Sequence, residues 1–283
     1  MKLDDRCFDC LLSRVVLECG LCGASAEKTS SVRSVCAELL ESLRREPLTH
    51  PQIASAVHRK AYAMLGDGDP FRELKKESAR QALAVCRSVR PRLESFRDFV
   101  LAGIIGNTFD YGVRDHAVSH DFARYFEEEF RSGLVIDHTD RILPLASRVV
   151  YFTDNCGEIV FDRLLLEFLH NRGSRITVAV RDEPILNDAT LAEARELGLS
   201  RFATLTTTGC GCEIGVRPEC MPDVLAEAFA ECTLVISKGM ANYESLSVLP
   251  GLPPVAYLMA AKCDPIAEEV GVPRGSKVAM LRE

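Results

Sequence analysis

The feature that most constrains the fold is an alternation of short apolar runs with helical segments in the second half of the chain. Runs rich in β-branched and aromatic residues occur at 148–153, 176–180 and 233–237, and helical patterns lie between them at 157–170, 189–197 and 221–231. Strands that alternate with helices form βαβ units, because a parallel connection needs a crossover. Residues 255–259 and 277–281 indicate two more strands. This half therefore predicts an α/β fold with a parallel-type sheet.

The first half of the chain is helical in pattern. Apolar residues recur at Val32, Cys36 and Leu40, with the spacing of one helix face. A proline after Thr49-His50 and a glycine at position 66 are typical of a helix start and a helix end. We therefore divide the chain into a helical N-terminal part, residues 1–145, and an α/β domain, residues 146–283.

The composition disfavours several functional classes. Of the 283 residues, 47% are apolar and 27% are charged, which is typical of a globular protein. No apolar run reaches the roughly 18 residues of a membrane helix, and the acidic start of the chain does not resemble a signal peptide. A net charge of −7 disfavours non-specific binding to nucleic acid. We expect a cytoplasmic protein whose twelve cysteines are reduced thiols. The sequence leaves the oligomeric state open, a homo-oligomer included.

Polar segments follow three of the predicted strands. They span residues 154–158, 181–188 and 238–244, and each contains acidic or amide side chains. Open parallel sheets bind ligands outside the carboxyl ends of their strands, so we expect the three segments to meet there. Any one of them alone is equally typical of a turn or a helix cap.

The residue types in these segments suit phosphate chemistry. Asp154 and Asp188 offer carboxylates and Asn155 offers an amide oxygen, which are ligands suited to Mg²⁺ or Mn²⁺. Lys238 offers a cation for phosphate, and the N–H groups of the helix that opens at Gly157 suit an anion. A metal, two carboxylates and a lysine are the parts for hydrolysing a phosphate ester. We favour attack by water over an aspartyl-phosphate, because no Asp-x-Asp follows the first strand.

Five motifs in chain order resemble those of one family. The motifs are Cys7-x-x-Cys10, Gly106-Asn107-Thr108-Phe109-Asp110, Asp154-Asn155-Cys156-Gly157-Glu158, Asn187-Asp188-Ala189-Thr190 and Lys238-Gly239-Met240-Ala241-Asn242-Tyr243-Glu244. Together they resemble the damage-control phosphatases, known as domain of unknown function 89, in the prokaryotic branch with an N-terminal CxxC. One departure is Cys156, which places a thiol where many relatives carry a small residue such as alanine.

The resemblance implies a fold, a reaction and a site. The fold is a three-layer α/β/α, Rossmann-like domain with a helical N-terminal part. The reaction is hydrolysis of a small phosphorylated metabolite, such as a sugar phosphate or a damaged metabolite, supported by Mn²⁺, Ni²⁺, Co²⁺ or Mg²⁺. The implied metal ligands are Asp154, Asn155 and Asp188, the catalytic residues are Asp154, Asp188 and Lys238, and the substrate-binding residues are Asn107, Asp110, Gly157, Glu158, Asn242 and Glu244.

The cysteines support a competing hypothesis. Cys7 and Cys10 form one CxxC pair, and Cys19 and Cys22 form a second, with a spacing that suits zinc, core packing on a helix, or redox chemistry. The alternative function is therefore a cysteine-rich metal- or redox-sensing binding protein without catalysis. A further Cys210-Gly211-Cys212 segment indicates a flexible loop.

Overall fold

A single seven-stranded sheet organises the protein. The structure is a computed structural model that describes residues 4–107 and 122–283. The strands are β1 (Ile136–Asp137), β2 (Arg148–Phe152), β3 (Arg175–Val180), β4 (Thr204–Thr207), β5 (Leu234–Lys238), β6 (Val255–Ala260) and β7 (Lys277–Arg282). Their order across the sheet is β1-β7-β6-β5-β2-β3-β4.

Most of the sheet is parallel, as the alternating pattern predicts. Strands β6, β5, β2, β3 and β4 pair with one another in parallel, while β7 runs antiparallel to β6. The run at 277–281 therefore forms a strand, but not a parallel one.

Twelve α-helices accompany the sheet within the described residues. They are α1 (Arg6–Leu21), α2 (Ala26–Leu43), α3 (His50–Leu65), α4 (Arg72–Val89), α5 (Phe96–Gly106), α6 (Phe122–Ser132), α7 (Thr139–Ile142), α8 (Glu158–Asn171), α9 (Leu191–Glu196), α10 (Asp223–Glu231), α11 (Met240–Leu246) and α12 (Asp264–Val270). No helix in this part of the chain is long and apolar enough to span a membrane.

Three apolar clusters define the layers. Helices α4, α5 and α8 cover one face of the sheet, where Ile104 packs with Ile159 and Ile236. Helices α10, α11 and α12 cover the other face. The three-layer α/β/α arrangement is thus confirmed. The inner strands β2, β5 and β6 are buried on both faces almost throughout, so they consist mainly of apolar residues.

The third cluster joins α1, α2 and α3 to the sheet. Its core includes Val15, Cys36 and Val57, and two residues from loops at the carboxyl edge of the sheet, Leu186 and Ile214, pack into it. The three helices therefore sit over that edge. Helices α4 and α5 pack on the sheet itself, and β1 is one of its strands, so the boundary between residues 145 and 146 stays a prediction.

Capping residues fix the helices next to the site. Thr49 with Gln52 begins α3, and Ser95 with Asp98 begins α5, each pair forming reciprocal side-chain to backbone hydrogen bonds. Gly66 ends α3 in the left-handed conformation. These bonds place His50 in the first turn of α3 at the carboxyl edge of the sheet.

Candidate functional site

A cavity of about 320 Å³ lies at the carboxyl edge of the sheet. Its walls come from α1 and α3 on one side and from the segments that follow β2, β3, β5 and β6 on the other. The polar residues among those walls include Cys7, Cys10, Arg14, His50, Asn107, Asp154, Asp188, Glu244, Lys262, Cys263 and Arg274. The cavity thus gathers the segments that the sequence predicts to meet.

Asp154 follows β2 and lines the cavity. Its carboxylate lies against the backbone at the end of β5. The backbone of Gly239, at the end of β5, has φ 75°, and a Cβ atom there would overlap the Asp154 carboxylate. Only glycine combines that conformation with that space. From the other side, Asn107 Nδ2 donates to Asp154 Oδ2 at 2.7 Å. The carboxylate is therefore clamped between the end of α5 and the start of α11.

Asp188 is held by a buried arginine. Arg181, 1% exposed, donates from Nε to Asp188 Oδ2 at 2.6 Å. The same guanidinium donates to the Gly215 carbonyl at 2.6 Å and to Asn242 Oδ1 at 3.0 Å. A backbone bridge between Asn155 and Asp188 brings the segments after β2 and β3 together. One side chain thus ties Asp188 to the segment that follows β5.

Burial and a neighbouring carboxylate affect the charge of Asp154. Burial, with a smaller contribution from the negative charge of Asp188, raises the pKa of Asp154 to about 7. The positive charges of Lys262 and Arg181 and the hydrogen bond from Asn107 act in the opposite direction. A cation beside Asp154 would favour its ionised form.

Asn155 and Gly157 lie beneath the cavity rather than in its wall. The Asn155 Oδ1 atom accepts hydrogen bonds from the backbone N–H groups of Gly157 at 3.0 Å and Glu158 at 2.9 Å. The Asn155 amide therefore caps the start of α8, and it would have to exchange these bonds to ligate a metal. The same two N–H groups, which the sequence suggests as an anion cradle, are already satisfied.

Lys238 is fully enclosed by acidic partners. Its Nζ lies 2.8 Å from Glu158 Oε1 and 2.6 Å from Asp162 Oδ1, and all three side chains are fully buried. Asn107 Nδ2 donates to the other oxygen of Glu158 at 2.9 Å. Lys238 is not among the described residues that line the cavity, so this placement does not support the predicted contact with phosphate. By holding Glu158, the lysine instead helps to position Asn107, which in turn donates to Asp154.

The remaining predicted residues also divide into those that line the cavity and those that do not. Asn242 is buried and joins Arg181 to the carbonyl oxygens of Thr153 and Lys238. Glu244 lines the cavity, and its Oε1 lies 2.7 Å from Nδ1 of His50. Asp110 lies outside the described residues. Of the predicted residues in the described part, the cavity wall therefore contains Asn107, Asp154, Asp188 and Glu244.

The cavity wall also contains cationic side chains that were not predicted from the sequence motifs. Lys262 follows β6, lines the cavity, and donates from Nζ to the Asn107 carbonyl at 2.6 Å. Arg14 reaches the wall from α1. The signal for Lys262 was present, because residues 255–259 are a predicted strand and the same reasoning about strand ends applies to Lys262. Nothing in the sequence places α1 over the sheet edge.

The four N-terminal cysteines do not form one site, so the predicted zinc site is wrong. Cys7 and Cys10 lie in the first turns of α1, whereas Cys19 and Cys22 lie at its other end. Twelve residues of helix separate Cys7 from Cys19 by roughly 18 Å. Across residues 4–107 and 122–283, the His, Cys, Asp and Glu side chains form no group of three that could hold a metal ion. Cys7 and Cys10 line the cavity instead, with Cys263.

Other cysteines have separate roles. Cys210 and Cys220 form a disulfide, which corrects the expectation that all the thiols are reduced. Cys36 and Cys86 are buried in the apolar clusters, and Cys156 is buried next to Asp188, whose carbonyl its Sγ contacts at 3.5 Å. The thiol at position 156 is therefore not exposed to a ligand in the cavity.

The residues present fit a divalent cation with few protein ligands. Asp154 and Asp188 supply two hard carboxylates in the cavity wall, and burial together with the charge of Asp188 disfavours the ionised form of Asp154, an effect that a cation would offset. Mg²⁺ and similar ions commonly take one or two carboxylates, with water and substrate phosphate completing the coordination. The donor set thus suits a substrate-completed metal site better than a structural one.

Fold and site together define a class. The protein is an α/β protein with paired carboxylates and cationic side chains in a small cavity at the carboxyl edge of a mostly parallel sheet. Residues 3–278 match the model of the damage-control phosphatase ARMT1-like domain. The chain belongs to this family, which is the domain of unknown function 89 family that the motifs resemble. Family membership supports a phosphatase, and hence a hydrolase.

Three proteins of known sequence or structure are similar to this chain over its whole length. A damage-control phosphatase of Archaeoglobus fulgidus is 38% identical over the full length of both chains. An uncharacterized protein of Methanocaldococcus jannaschii is 30% identical over the whole chain and 96% of that protein. The crystal structure of a DUF89 family protein from Pyrococcus horikoshii superposes with a TM-score of 0.91, at 28% identity and full coverage of both chains.

Proposed function

We propose that the protein is a divalent-metal-dependent phosphatase that hydrolyses a monoester of a small phosphorylated metabolite. The observation that carries the proposal is the pair Asp154 and Asp188 in the wall of one cavity, with Lys262 on the same wall. The raised pKa of Asp154, about 7, supports a cation at this position. The names of the relatives support the reaction class.

Each residue has a distinct proposed part in the reaction. Asp154 and Asp188 would hold a divalent cation, which when bound would supply positive charge to the phosphoryl oxygens. Lys262 adds a second positive charge on the same side, and Asn107 keeps Asp154 in place. Asn155 remains a proposed ligand that would have to leave its capping bonds. Water attacks phosphorus in this scheme, and a cavity carboxylate accepts its proton.

The cavity supports a small substrate. Its volume of about 320 Å³ lies at the lower end of the range for ligand sites, roughly 300–1,000 Å³. The wall opposite the carboxylates carries arginines and polar groups from α1 and α3, which suits hydroxyl-rich or charged metabolites. We therefore propose a sugar phosphate or a damaged metabolite of similar size as substrate.

The test is phosphate release from a panel of sugar phosphates, nucleotides and p-nitrophenyl phosphate. Chelated protein receives Mg²⁺, Mn²⁺, Co²⁺ or Ni²⁺ singly, so the metal requirement is measured along with the substrate ranking. The matched control for cavity variants is Asp223→Asn, because Asp223 is exposed on α10. Phosphate release that the metals do not stimulate would contradict the proposal.

The configuration at phosphorus separates two mechanisms. Direct attack by water on a phosphoryl group made chiral with oxygen isotopes inverts that configuration in one displacement. An aspartyl-phosphate on Asp154 or Asp188 adds a second displacement and therefore retains it. Inversion is expected. The binding-protein alternative predicts retained metal and no turnover on any ester, and the separation of the two cysteine pairs on α1 removes its four-thiolate site.

A further inference from the structure

A histidine–carboxylate pair occupies the cavity wall beside the two aspartates. His50 is the first residue of α3, and its Nδ1 lies 2.7 Å from Oε1 of Glu244 on α11. Both side chains are largely buried, at 17% and 6% exposed, and both line the cavity. The pair therefore joins the helical part of the chain to the sheet inside the candidate site.

The second ring nitrogen of His50 has no assigned contact. Its Nε2 is buried and has no hydrogen-bond partner among the described residues. A carboxylate at Nδ1 fixes the ring orientation and the tautomer, which makes Nε2 the nitrogen that serves a ligand. Buried polar atoms are nearly always paired, so an unpaired one on a cavity wall requires an explanation.

The pair is close to the phosphoryl end of the cavity. Helix α11 begins at Met240, directly after the glycine that packs on the Asp154 carboxylate, and Glu244 comes four residues later. Four residues of helix advance roughly 6 Å, about one turn. A phosphoryl group next to Asp154 would thus direct its ester oxygen and organic moiety toward His50 within the length of a small metabolite.

Other groups in the wall suit proton donation less well. His58 also lines the cavity, but it is fully buried against Glu18, with Nδ1 2.6 Å from the carboxylate. Burial raises the pKa of the Cys7 thiol to about 12, which makes it a weak acid near neutral pH. Lys238 does not line the cavity and is enclosed by its two acidic partners.

We infer that His50, oriented by Glu244, is the general acid that protonates the leaving-group oxygen of the phosphate ester. This inference rests on the proposed phosphatase function. Water forms the new bond to phosphorus while the bond from phosphorus to the ester oxygen breaks. The electron pair of the broken bond stays on that oxygen, which takes the Nε2 proton of the imidazolium form of His50 and leaves as an alcohol. His50 then regains a proton from solvent.

The dependence of kcat/KM on the leaving group distinguishes a general acid from a residue with a structural role. A sugar alkoxide is a poor leaving group and needs the proton, whereas p-nitrophenolate is stable without it. His50→Asn keeps an amide donor where Nδ1 contacts Glu244 but removes Nε2. We expect its kcat/KM to fall about 10²- to 10⁴-fold on the sugar phosphate that the wild type hydrolyses fastest, with p-nitrophenyl phosphate nearly unaffected.

An activity loss that does not depend on the leaving group would contradict a general acid. An equal loss on both esters, or a change confined to KM, would overturn the inference and assign His50 to structure or to substrate binding. His50→Gln serves as a second variant if His50→Asn melts at a lower temperature, and His170→Gln, at an exposed position near the end of α8, is the control. A wild-type protein that hydrolyses neither ester would overturn the proposed function, and the inference with it.

Discussion

Arg181 donates from Nε to Asp188 Oδ2 at 2.6 Å, and the arginine side chain is only 1% exposed. The same guanidinium also binds the Gly215 carbonyl and the Asn242 amide. Three segments that are far apart in sequence are therefore fixed by one charge. Such a group holds an acidic ligand rigidly in the wall of a cavity.

Replacing this arginine should affect both stability and the site. Arg181→Met leaves the buried Asp188 carboxylate without its partner, which typically costs about 3–5 kcal/mol in the free energy of unfolding. We also expect metal-stimulated phosphate release to be lost. Denaturant unfolding and activity measure the two effects, with Arg33→Met at an exposed position on α2 as control. Wild-type stability in Arg181→Met would contradict the described network.

Gly239 should be required because of the Asp154 carboxylate beside it. Gly239→Ala adds a methyl group at a position with φ 75° and forces the carboxylate to move. We expect metal-stimulated activity to fall at least tenfold. The control is Gly271→Ala, where φ is 78° and no described atom lies within 4 Å of the new Cβ. That variant should lose some stability and keep its activity, and equal activity losses in the two variants would refute the argument.

The pKa of Asp154 makes a signed prediction for metal-free protein. Its folded-state pKa of about 7 lies above the ordinary value of 3.8, so the metal-free fold becomes less stable as the pH rises between these values. Asp154→Asn removes that loss. In chelator, its melting temperature relative to wild type should therefore rise from pH 4 to pH 7 and level off above.

Saturating metal should reverse this order at high pH. The cation needs the ionised carboxylate, so it stabilises the wild type above pH 7 and binds more weakly below. Melting curves across this pH range, with chelator and with Mn²⁺, measure both effects. A difference between wild type and Asp154→Asn that does not vary with pH would exclude a raised pKa at this position.

Lys238 should act on stability more than on phosphate binding. Lys238→Met leaves Glu158 and Asp162 buried without their cation, at a cost of about 3–5 kcal/mol in the free energy of unfolding. Combining it with Asp162→Leu removes one of the two charges and should recover part of that loss. Lys76→Met at an exposed position is the control. If the single variant folds normally and only its KM for substrate rises, Lys238 contacts phosphate after all.

Periodicity and composition predict much of the fold. The strands at 148–152 and 234–238 and the helix at 158–171 match their predicted ranges to within a residue or two. The two strands are buried on both faces, so they have an apolar composition that is visible directly in the sequence. The short strands β1 and β4 went unpredicted, because a two-residue strand and the polar run Thr204–Thr207 carry no apolar signal.

The site is predicted only where strand ends determine it. Asp154 and Asp188 meet as expected, because parallel strands β2 and β3 are neighbours in the sheet. The contact between His50 and Glu244 depends on how α3 docks on α11, which is set by packing of the whole chain. Lys238 was assigned to phosphate from its charge, but whether that charge faces the cavity or buried acids depends on side-chain placement. A cytoplasmic location and the oligomeric state stay predictions.

The most direct test of the proposed metal site is a metal titration of phosphate release by chelated protein. It compares the wild type with Asp154→Asn and Asp188→Asn, and uses Asp223→Asn as the matched control. We predict saturable stimulation of wild type and Asp223→Asn by a divalent metal, and its loss in both cavity variants. Equal metal-stimulated rates in wild type and in the cavity variants would show that the cavity carboxylates are not the site.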